Sequence, residues 1–306
     1  MPAELEYVLG VDVGGNHVKM AFVDGQGGMH QFQSFYTKEF VDTGDFTDKL
    51  IKTIQYKMLD YGQPCNGIGI GFPGTLTKDR DYTLEIPALA NELNGKPTGK
   101  QIREAFPTCK VRIENDANAA ALGELLFGTN QPPDDFAFVT LGTGIGSAYV
   151  QDRKIFIGAD GNALELGHIV SRNERRLEQN IGKQGILSLA EQRINTFKGT
   201  TMISRLKPIS ATEMVIAAGD GDVFSRAVFY EVGEILGEGL VALIRILDVK
   251  FIVIGGGLSA SFDFVKPGIE KILFQYLSPY YLNNLQIVKA SLGNDAGLLG
   301  AASLCF

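Results

Sequence analysis

The sequence predicts an α/β protein with two lobes, and three observations support this prediction. The chain of 306 residues is long enough for two hydrophobic cores. Short apolar runs, typical of strands buried on both faces, alternate with segments whose apolar residues recur at helical spacing. A unit of strand, glycine turn and strand occurs around residues 7–23 and again around residues 136–150. Two copies of one unit indicate an internal duplication.

Composition narrows the possible partners and compartment. The chain is 45% hydrophobic and 21% charged, which is ordinary for a soluble globular protein. Its net charge of −7 argues against a nucleic-acid partner, because nucleic-acid phosphates select a basic surface. The three cysteines have no metal-ligand spacing, and neither a signal peptide nor a long apolar run is recognisable. We therefore expect a cytoplasmic protein with no membrane partner.

The first predicted elements are three strands around a glycine turn. Residues 7–13 form a nearly continuous apolar run, residues 18–23 alternate and return, and residues 29–36 follow as a third strand. Asp12 stands just before the turn at residues 14–16. An acidic residue before such a turn is one arrangement that holds phosphate through exposed backbone amides. A plain hairpin turn is the alternative.

A helix and a buried strand come next. Apolar residues at helical spacing predict a helix over residues 46–59, with Thr43 or Asp45 as its N-cap. The strand at residues 67–72 leads to Pro73 and Gly74. Gly74 allows the backbone to pass close to a ligand, and an ordinary Pro-Gly turn is the alternative.

The most informative stretch is the octet of residues 113–120. A short strand at residues 109–113 gives way to an Ala/Leu-rich run with high helix propensity. Asn115 and Asp116 therefore lie at the carboxyl end of a strand, where α/β proteins bind ligands. The alternative is that Asp116 serves as the N-cap of the helix.

The second half of the chain repeats the pattern of the first. A strand at residues 136–141 precedes a glycine turn and a return strand at residues 147–150. The remaining predicted elements are a helix over 184–197, a long amphipathic helix over 228–247, a strand over 251–254 that enters Gly255-Gly256-Gly257, a helix over 265–277, a strand over 285–289 and a closing helix from Asp295.

These motifs together resemble the ROK family of sugar kinases, which have the actin/hexokinase-type (ribonuclease H-like) ATPase fold with a cleft between two lobes. The resemblance covers nearly the whole chain, and its motifs occur in family order. They are Asp12-Val13-Gly14-Gly15, Pro73-Gly74, Asn115-Asp116-Ala117-Asn118, Leu141-Gly142-Thr143-Gly144, Glu165-Leu166-Gly167-His168, Gly255-Gly256-Gly257 and Ala296-Gly297-Leu298-Leu299-Gly300.

The resemblance implies a role for each position. Asp116 is the general base that takes the proton of a sugar hydroxyl as it attacks the γ-phosphoryl group of ATP. Asp12 orients the Mg²⁺ ion through water. The sugar is held by Gly74, Asn115, Glu165, His168 and Glu178. The phosphates are cradled by Gly14, Gly15, Asn16, Gly142, Thr143 and Gly144, and the adenosine is bordered by Gly255, Gly256 and Gly257.

The resemblance also implies a division of the chain. Residues 1–117 and the C-terminal helix, about 294–306, form the small lobe, and residues 118–293 form the large lobe. One departure from the family concerns zinc: residues 171–181 contain no cysteine, so we expect no structural zinc, and His168 is available to the sugar alone. Ala88 and the absence of Trp leave the identity of the sugar open.

The expected function is an ATP- and Mg²⁺-dependent hexokinase, with glucose and the nucleotide as partners and a homodimer as a possible assembly. One alternative is a polyphosphate-dependent glucokinase, for which Arg172, Arg175, Arg176 and Lys183 are the candidate basic residues. Another is a kinase for fructose, mannose, N-acetylglucosamine or N-acetylmannosamine. A remote alternative is a sugar-responsive transcriptional regulator of the same family.

Overall fold

The structure is a computed structural model that describes residues 7–203 and 208–306. The strands are β1 Tyr7–Val13, β2 His17–Asp24, β3 Met29–Tyr36, β4 Cys65–Phe72, β5 Thr75–Leu76, β6 Thr83–Glu85, β7 Lys110–Asn115, β8 Phe136–Leu141, β9 Ile145–Gln151, β10 Lys154–Ile155, β11 Phe251–Gly255 and β12 Gln286–Lys289. The α-helices are α1 Lys38–Val41, α2 Phe46–Tyr61, α3 Ala90–Leu93, α4 Thr98–Ala105, α5 Asp116–Phe127, α6 Leu177–Ile181, α7 Lys183–Ile194, α8 Ala211–Gly219, α9 Val223–Leu247, α10 Phe262–Tyr276, α11 Pro279–Leu282 and α12 Ala296–Ser303.

The first sheet has the strand order β3-β2-β1-β4-β7. Strands β1, β2 and β3 are antiparallel neighbours, whereas β4 and β7 run parallel to β1. In this register Asp12 lies opposite Gly71, and Phe72 lies opposite Asn115. The carboxyl ends of β1, β4 and β7 therefore meet at one edge, as expected for a ligand site in an α/β fold.

The second sheet has the order β10-β9-β8-β11-β12, in which β11 runs parallel to both β8 and β12. Gly255, at the end of β11, lies opposite Thr140 near the end of β8. The glycine segment after β11 therefore begins beside the glycine turn that follows β8.

The chain forms two compact units. One contains residues up to Pro132 together with Ala148–Leu164 and Asn294–Phe306, and the other contains Pro133–Ser147 and Glu165–Gly293. The lobe boundary after residue 117 stays a prediction of the sequence. Within the described residues, no helix combines the length and apolar character that crossing a bilayer requires.

The core of the first unit is closed by α12. A Cβ atom at Gly69 of β4 would overlap the backbone of Ala301, and one at Gly300 would overlap the backbone of Ala119 in α5. Glycine at these positions lets α12 approach both the sheet and α5 at backbone distance. Near its start, α5, which carries the predicted catalytic residue, is thereby packed against α12.

The α/β prediction is confirmed, and the bounds of β1, β3 and β8 match the sequence prediction to the residue. Asp45 is the N-cap of α2, since its side chain accepts a hydrogen bond from the amide of Asp48. The predicted helix over about residues 184–197 corresponds to α7, which ends at Ile194. A tight corner at Gly182 separates α6 from α7, with the Gly182 amide donating to the carbonyl of Glu178 at 2.7 Å.

Candidate active site

Asn115, not Asp116, is the N-cap of α5. Its Oδ1 atom accepts hydrogen bonds from the amides of Ala117 and Asn118, at 2.9 and 3.2 Å, and its Nδ2 atom donates to the carbonyl of Gly74 at 2.9 Å. The interpretation of Asp116 as the cap is therefore wrong. Asn115 adopts the extended backbone conformation typical of a cap and satisfies the first amides of the helix itself.

Asp116 is the first residue of α5 and is half-buried. Its Oδ1 atom accepts from the amide of Ala117 at 2.8 Å. A carboxylate in the first helical turn is favoured by the positive end of the helix dipole, which stabilises its ionised form. An ionised carboxylate is the form that can accept a proton.

Gly74 adopts a left-handed backbone conformation with φ of +82°. A Cβ atom there would overlap the carbonyl of Glu85, so the turn requires glycine for both reasons. The Gly74 carbonyl accepts a hydrogen bond from Nδ2 of the Asn115 side chain. This bond joins the turn after β4 to the start of α5.

A buried ion pair behind the junction was not found by sequence reasoning. Arg80 donates to the Glu114 carboxylate at 2.8 and 3.0 Å through Nη2 and at 3.3 Å through Nε. Glu114 also accepts from the amide of Asn115 at 2.8 Å and from Nδ2 of Asn118 at 3.0 Å. Glu114 directly precedes the Asn-Asp pair, which was the available signal, but nothing in the sequence identifies Arg80 as its partner.

The first glycine turn presents exposed backbone amides. The amide of Gly14 donates to the carbonyl of His17 at 2.9 Å, and the Thr37 hydroxyl donates to the carbonyl of Gly14 at 2.7 Å. Gly15 and Asn16 are exposed, and within residues 7–203 and 208–306 their amides donate to no acceptor. Two amides available at a fixed turn fit an anionic ligand such as a phosphate.

Asp12 lies at the end of β1 with its side chain 19% exposed. Lys19 Nζ is 3.9 Å from its Oδ2 atom and donates to the carbonyl of Asn294 at 2.9 Å. A Cβ atom at Gly297 would lie 2.9 Å from the carboxyl group, so α12 also encloses Asp12. Burial raises the pKa of the Asp12 carboxyl, and the Lys19 ammonium partly opposes this shift.

The second glycine turn, after β8, resembles the first in its exposed amides. The amide of Gly142 donates to the carbonyl of Gly144 at 3.1 Å, and the Lys183 amide at the start of α7 donates to the carbonyl of Gly142 at 2.9 Å. The amides of Thr143 and Gly144 donate to no acceptor in the described part of the chain. This turn can therefore also hold an anion.

Glu165 directly precedes a short 3₁₀ turn over Leu166–His168, and His168 is the last residue of that turn. The Leu166 amide donates to the Ser147 hydroxyl at 3.0 Å, and Gly167 packs so closely on the carbonyl of Ile145 that a side chain would collide. Burial raises the pKa of the Glu165 carboxyl, with His168 lowering it and Glu178 raising it further.

Glu178 in α6 contacts His168, which is predicted to bind the sugar, and lies beside the second glycine turn. Its Oε1 atom lies 3.3 Å from Nε2 of His168, and its Oε2 atom would be 2.7 Å from a Cβ atom at Gly144. In the second unit the structure therefore brings Glu178, His168 and Gly144 together.

Gly255, the last residue of β11, and the two glycines that follow it have different surroundings. A Cβ atom at Gly255 would be 2.8 Å from the Phe138 ring, and Gly256 has φ of +88° and packs on the backbone of Leu141. Both therefore have a packing reason to be glycine. Gly257 is exposed with open space around it, and its amide faces Gly142. A nucleotide role for these residues stays a prediction, and Gly257 is the most accessible of the three.

Asp12 is the carboxylate of the candidate site that suits a magnesium ion. In the described ranges no three or more His, Cys, Asp and Glu side chains come close enough to hold a metal ion together. Mg²⁺ needs no such cage, because one or two carboxylates combine with water and substrate phosphates. Asp12, a hard oxygen donor near exposed turn amides, fits this requirement.

Two solved structures resemble the chain over nearly its full length. A candidate sugar kinase from Cytophaga hutchinsonii ATCC 33406 is 34% identical with a TM-score of 0.89, covering 97% of this chain and 99% of that one. A ROK family glucokinase from Streptomyces griseus, in complex with glucose and AMPPNP, is 27% identical with a TM-score of 0.81, covering 97% and 98%. The predicted actin/hexokinase-type ATPase fold is thereby confirmed.

Sequence relatives include both enzymes and regulators. The glucokinase of Thermotoga maritima is 28% identical over 97% of this chain and 96% of its own length. A xylose repressor from Caldicellulosiruptor bescii is also 28% identical, but over 78% of this chain and 62% of the repressor. Residues 8–306 match the ROK family as a whole, and the chain therefore belongs to the ROK family.

Proposed function

We propose that this chain transfers the γ-phosphoryl group of ATP to a hydroxyl group of a hexose, with the conversion of glucose to glucose 6-phosphate as its reaction. The observation that carries the proposal is the Asp116 carboxylate at the start of α5, where Asn115 performs the capping role. The likeness to glucokinases along the whole chain supports both the reaction class and the choice of sugar.

Asp116 acts as the general base. A sugar hydroxyl is a weak nucleophile, and a carboxylate within hydrogen-bond reach takes its proton as the oxygen attacks phosphorus. The proton moves to a carboxyl oxygen of Asp116, and the bond from phosphorus to the leaving oxygen of ADP breaks. Such a base contributes roughly 10²- to 10⁴-fold to the rate.

The proposed sugar ligands include both donors and acceptors of hydrogen bonds. Asn115 keeps one Nδ2 hydrogen beyond its bond to Gly74, while Glu165, His168 and Glu178 supply carboxylate and imidazole groups. Groups that bind a hydroxyl discriminate strongly against analogues that lack it, because their polar atoms are then left unpaired.

Each glycine turn can hold phosphate through its own exposed amides. Phosphoryl transfer depends mainly on positioning and on neutralising charge, so fixed backbone donors suit the task. Asp12 would hold Mg²⁺ through its water ligands, and the ion when bound neutralises negative charge on the phosphate oxygens.

Polyphosphate is the alternative donor, and the structure offers it few basic contacts. Of the four candidate basic residues, Arg172 is held by Glu238, with Nε at 2.9 and 3.1 Å from the carboxylate oxygens. Arg175, Arg176 and Lys183 are exposed. A long polyanion requires a continuous basic surface, so ATP is the favoured donor.

The experiment that tests the proposal is a substrate panel with the purified protein. Glucose, fructose, mannose, N-acetylglucosamine and N-acetylmannosamine are each assayed with ATP and with polyphosphate, with Mg²⁺ and with EDTA. We expect the highest kcat/KM for glucose with ATP, and activity only with Mg²⁺. If another sugar gives a higher kcat/KM than glucose, that sugar is the substrate. If polyphosphate gives a higher kcat/KM than ATP, polyphosphate is the donor.

The regulator alternative is decided by the same panel, because a regulator would bind a sugar without turnover. We expect turnover. We also propose that the enzyme is cytoplasmic, since the three cysteines are unpaired thiols suited to a reducing compartment. Light scattering of the purified protein then tests whether it is a homodimer.

A further inference from the structure

Arg80 connects three segments of the first unit. It lies in the loop between β5 and β6 and has a left-handed backbone conformation with φ of +61°. Its guanidinium donates to Glu114 in β7, to the carbonyl of Gly161 at 2.9 Å and to the carbonyl of Thr77 at 3.1 Å. The left-handed conformation is uncommon for arginine and persists because these contacts hold the residue in place.

The ion pair is almost fully withdrawn from solvent. The side chain of Arg80 is 8% exposed and that of Glu114 is 12% exposed. A buried pair is tolerated when its geometry is good and the remaining donors and acceptors are satisfied. Both conditions hold, because the contact is bidentate and Glu114 also accepts from Asn115 and Asn118.

Two groups that donate hydrogen bonds to Glu114 lie on either side of Asp116 in the sequence. Oε1 of Glu114 accepts a hydrogen bond from the backbone amide of Asn115, one residue before Asp116. It also accepts one from Nδ2 of Asn118, two residues after Asp116. Rotation of the Glu114 carboxylate would therefore break bonds on both sides of Asp116. Arg80 prevents that rotation, because its planar guanidinium fixes both carboxylate oxygens.

We propose that Arg80 is a positioning residue for phosphoryl transfer, acting through Glu114 on the start of α5 and hence on Asp116. The proposal rests on the function of Asp116 proposed above. A general base must be held close to its productive geometry, and a displacement of about 1 Å can cost on the order of 10²-fold in rate. Arg80 itself touches neither sugar nor nucleotide in this proposal.

A second set of contacts anchors the same loop. The side chain of Asn162 accepts from the amide of Leu76 at 3.0 Å and donates to its carbonyl at 2.8 Å. Arg103 of α4 donates to the carbonyl of Arg80 at 3.3 Å and pairs with Asp81. Arg103 therefore holds the loop without touching Glu114, which makes it a matched control.

The test compares Arg80→Met with Arg103→Met. We expect Arg80→Met to lower kcat by about 10²-fold with little change in KM for ATP, and Arg103→Met to keep kcat within about twofold of the wild-type protein. Millimolar guanidinium should raise the kcat of Arg80→Met and leave that of Arg103→Met unchanged, because only the first variant has lost the ion that Glu114 binds. If Arg80→Met does not fold, Arg80→Lys replaces it, with an intermediate loss of about tenfold.

Hydrogen exchange gives a measurement that does not depend on activity. The amides of Ala117 and Asn118 donate to the Asn115 cap, so their exchange reports the order of the start of α5. We expect faster exchange at both amides in Arg80→Met than in Arg103→Met. Equal exchange, or equal losses of kcat in the two variants, would overturn the proposal. Absence of turnover by the wild-type protein would instead refute the proposed function and leave the exchange comparison valid.

Discussion

The sharpest prediction concerns Asp116→Asn, which removes the proposed base and leaves its surroundings intact. The new side chain keeps the oxygen that accepts from the amide of Ala117 at 2.8 Å. The cap of α5 is also kept, because it belongs to Asn115. The variant should therefore fold like the wild-type protein, with the free energy of unfolding changed by less than about 1 kcal/mol.

The expected loss of activity follows from the chemistry of the site. An amide cannot take the proton of the attacking hydroxyl, and general base catalysis is worth roughly 10²- to 10⁴-fold. The barrier should rise by about 3 to 5 kcal/mol, almost entirely in kcat. KM for the sugar should change little, because the substitution leaves the proposed sugar ligands in place, which are Asn115, Glu165, His168 and Glu178.

The assay is ADP release with saturating glucose and ATP, together with a urea unfolding curve for each protein. Asp263→Asn is the control, because Asp263 is likewise an acidic residue in the first turn of a helix, α10, and is exposed. It loses the same interaction with the helix dipole and should keep full activity. A folded Asp116→Asn protein with more than a tenth of the wild-type kcat would refute the assignment of the base.

Three further predictions concern stability. Asn115→Ala should lower the free energy of unfolding by about 1 kcal/mol, measured in urea, because the amide of Asn118 loses its acceptor and that of Ala117 keeps only Oδ1 of Asp116. Asp12→Asn should abolish activity yet unfold at a higher temperature than the wild-type protein at neutral pH. Burial raises the folded pKa of Asp12 above the ordinary 3.8, so the native state binds the proton more strongly and wild-type stability falls as pH rises from about 3.8 through the folded pKa. That fall should be smaller in the variant in melts between pH 4 and 8. Gly300→Ala should cost about 1 to 3 kcal/mol in urea unfolding, because its Cβ would overlap the backbone of Ala119, whereas Gly25→Ala, in open space, should be neutral within about 0.5 kcal/mol.

Elements with a strong local signal could be predicted from the sequence. The strands β1 and β8 are apolar runs that end at glycine turns, and the structure starts and stops them at the predicted residues. The glycine turns themselves were predictable because few other residues allow such close backbone packing or left-handed φ values. Gly74 and Gly256 illustrate this, with φ of +82° and +88°.

The cap of α5 shows where local signals become ambiguous. Asn115 and Asp116 are adjacent, and both are residue types that cap helices well. The deciding interaction is long-range: the Asn115 side chain also donates to Gly74, 41 residues earlier in the chain, and the pairing of β7 with β4 brings the two together. A one-dimensional pattern holds no information about that pairing, so the competition could not be resolved from sequence.

The loop after His168 extends the same argument from single residues to a segment. The sequence predicts that this loop lacks zinc ligands. A zinc ion is therefore not expected to order the loop, and the sequence does not indicate which contacts order it instead. In the structure Arg172 pairs with Glu238 of α9, 66 residues later, while its carbonyl accepts from Nδ2 of Asn180 at 2.9 Å. The amide of Ser171 donates to the carbonyl of Arg175 at 2.7 Å and closes the loop. These contacts fix the start of α6, and with it Glu178, so an ion pair to a distant helix orders a segment that carries a predicted sugar ligand. Such distant partners are determined by the tertiary fold, which explains why the sequence does not predict the Arg172–Glu238 and Arg80–Glu114 pairs, whereas it does predict the glycine turns after β1, β4 and β8.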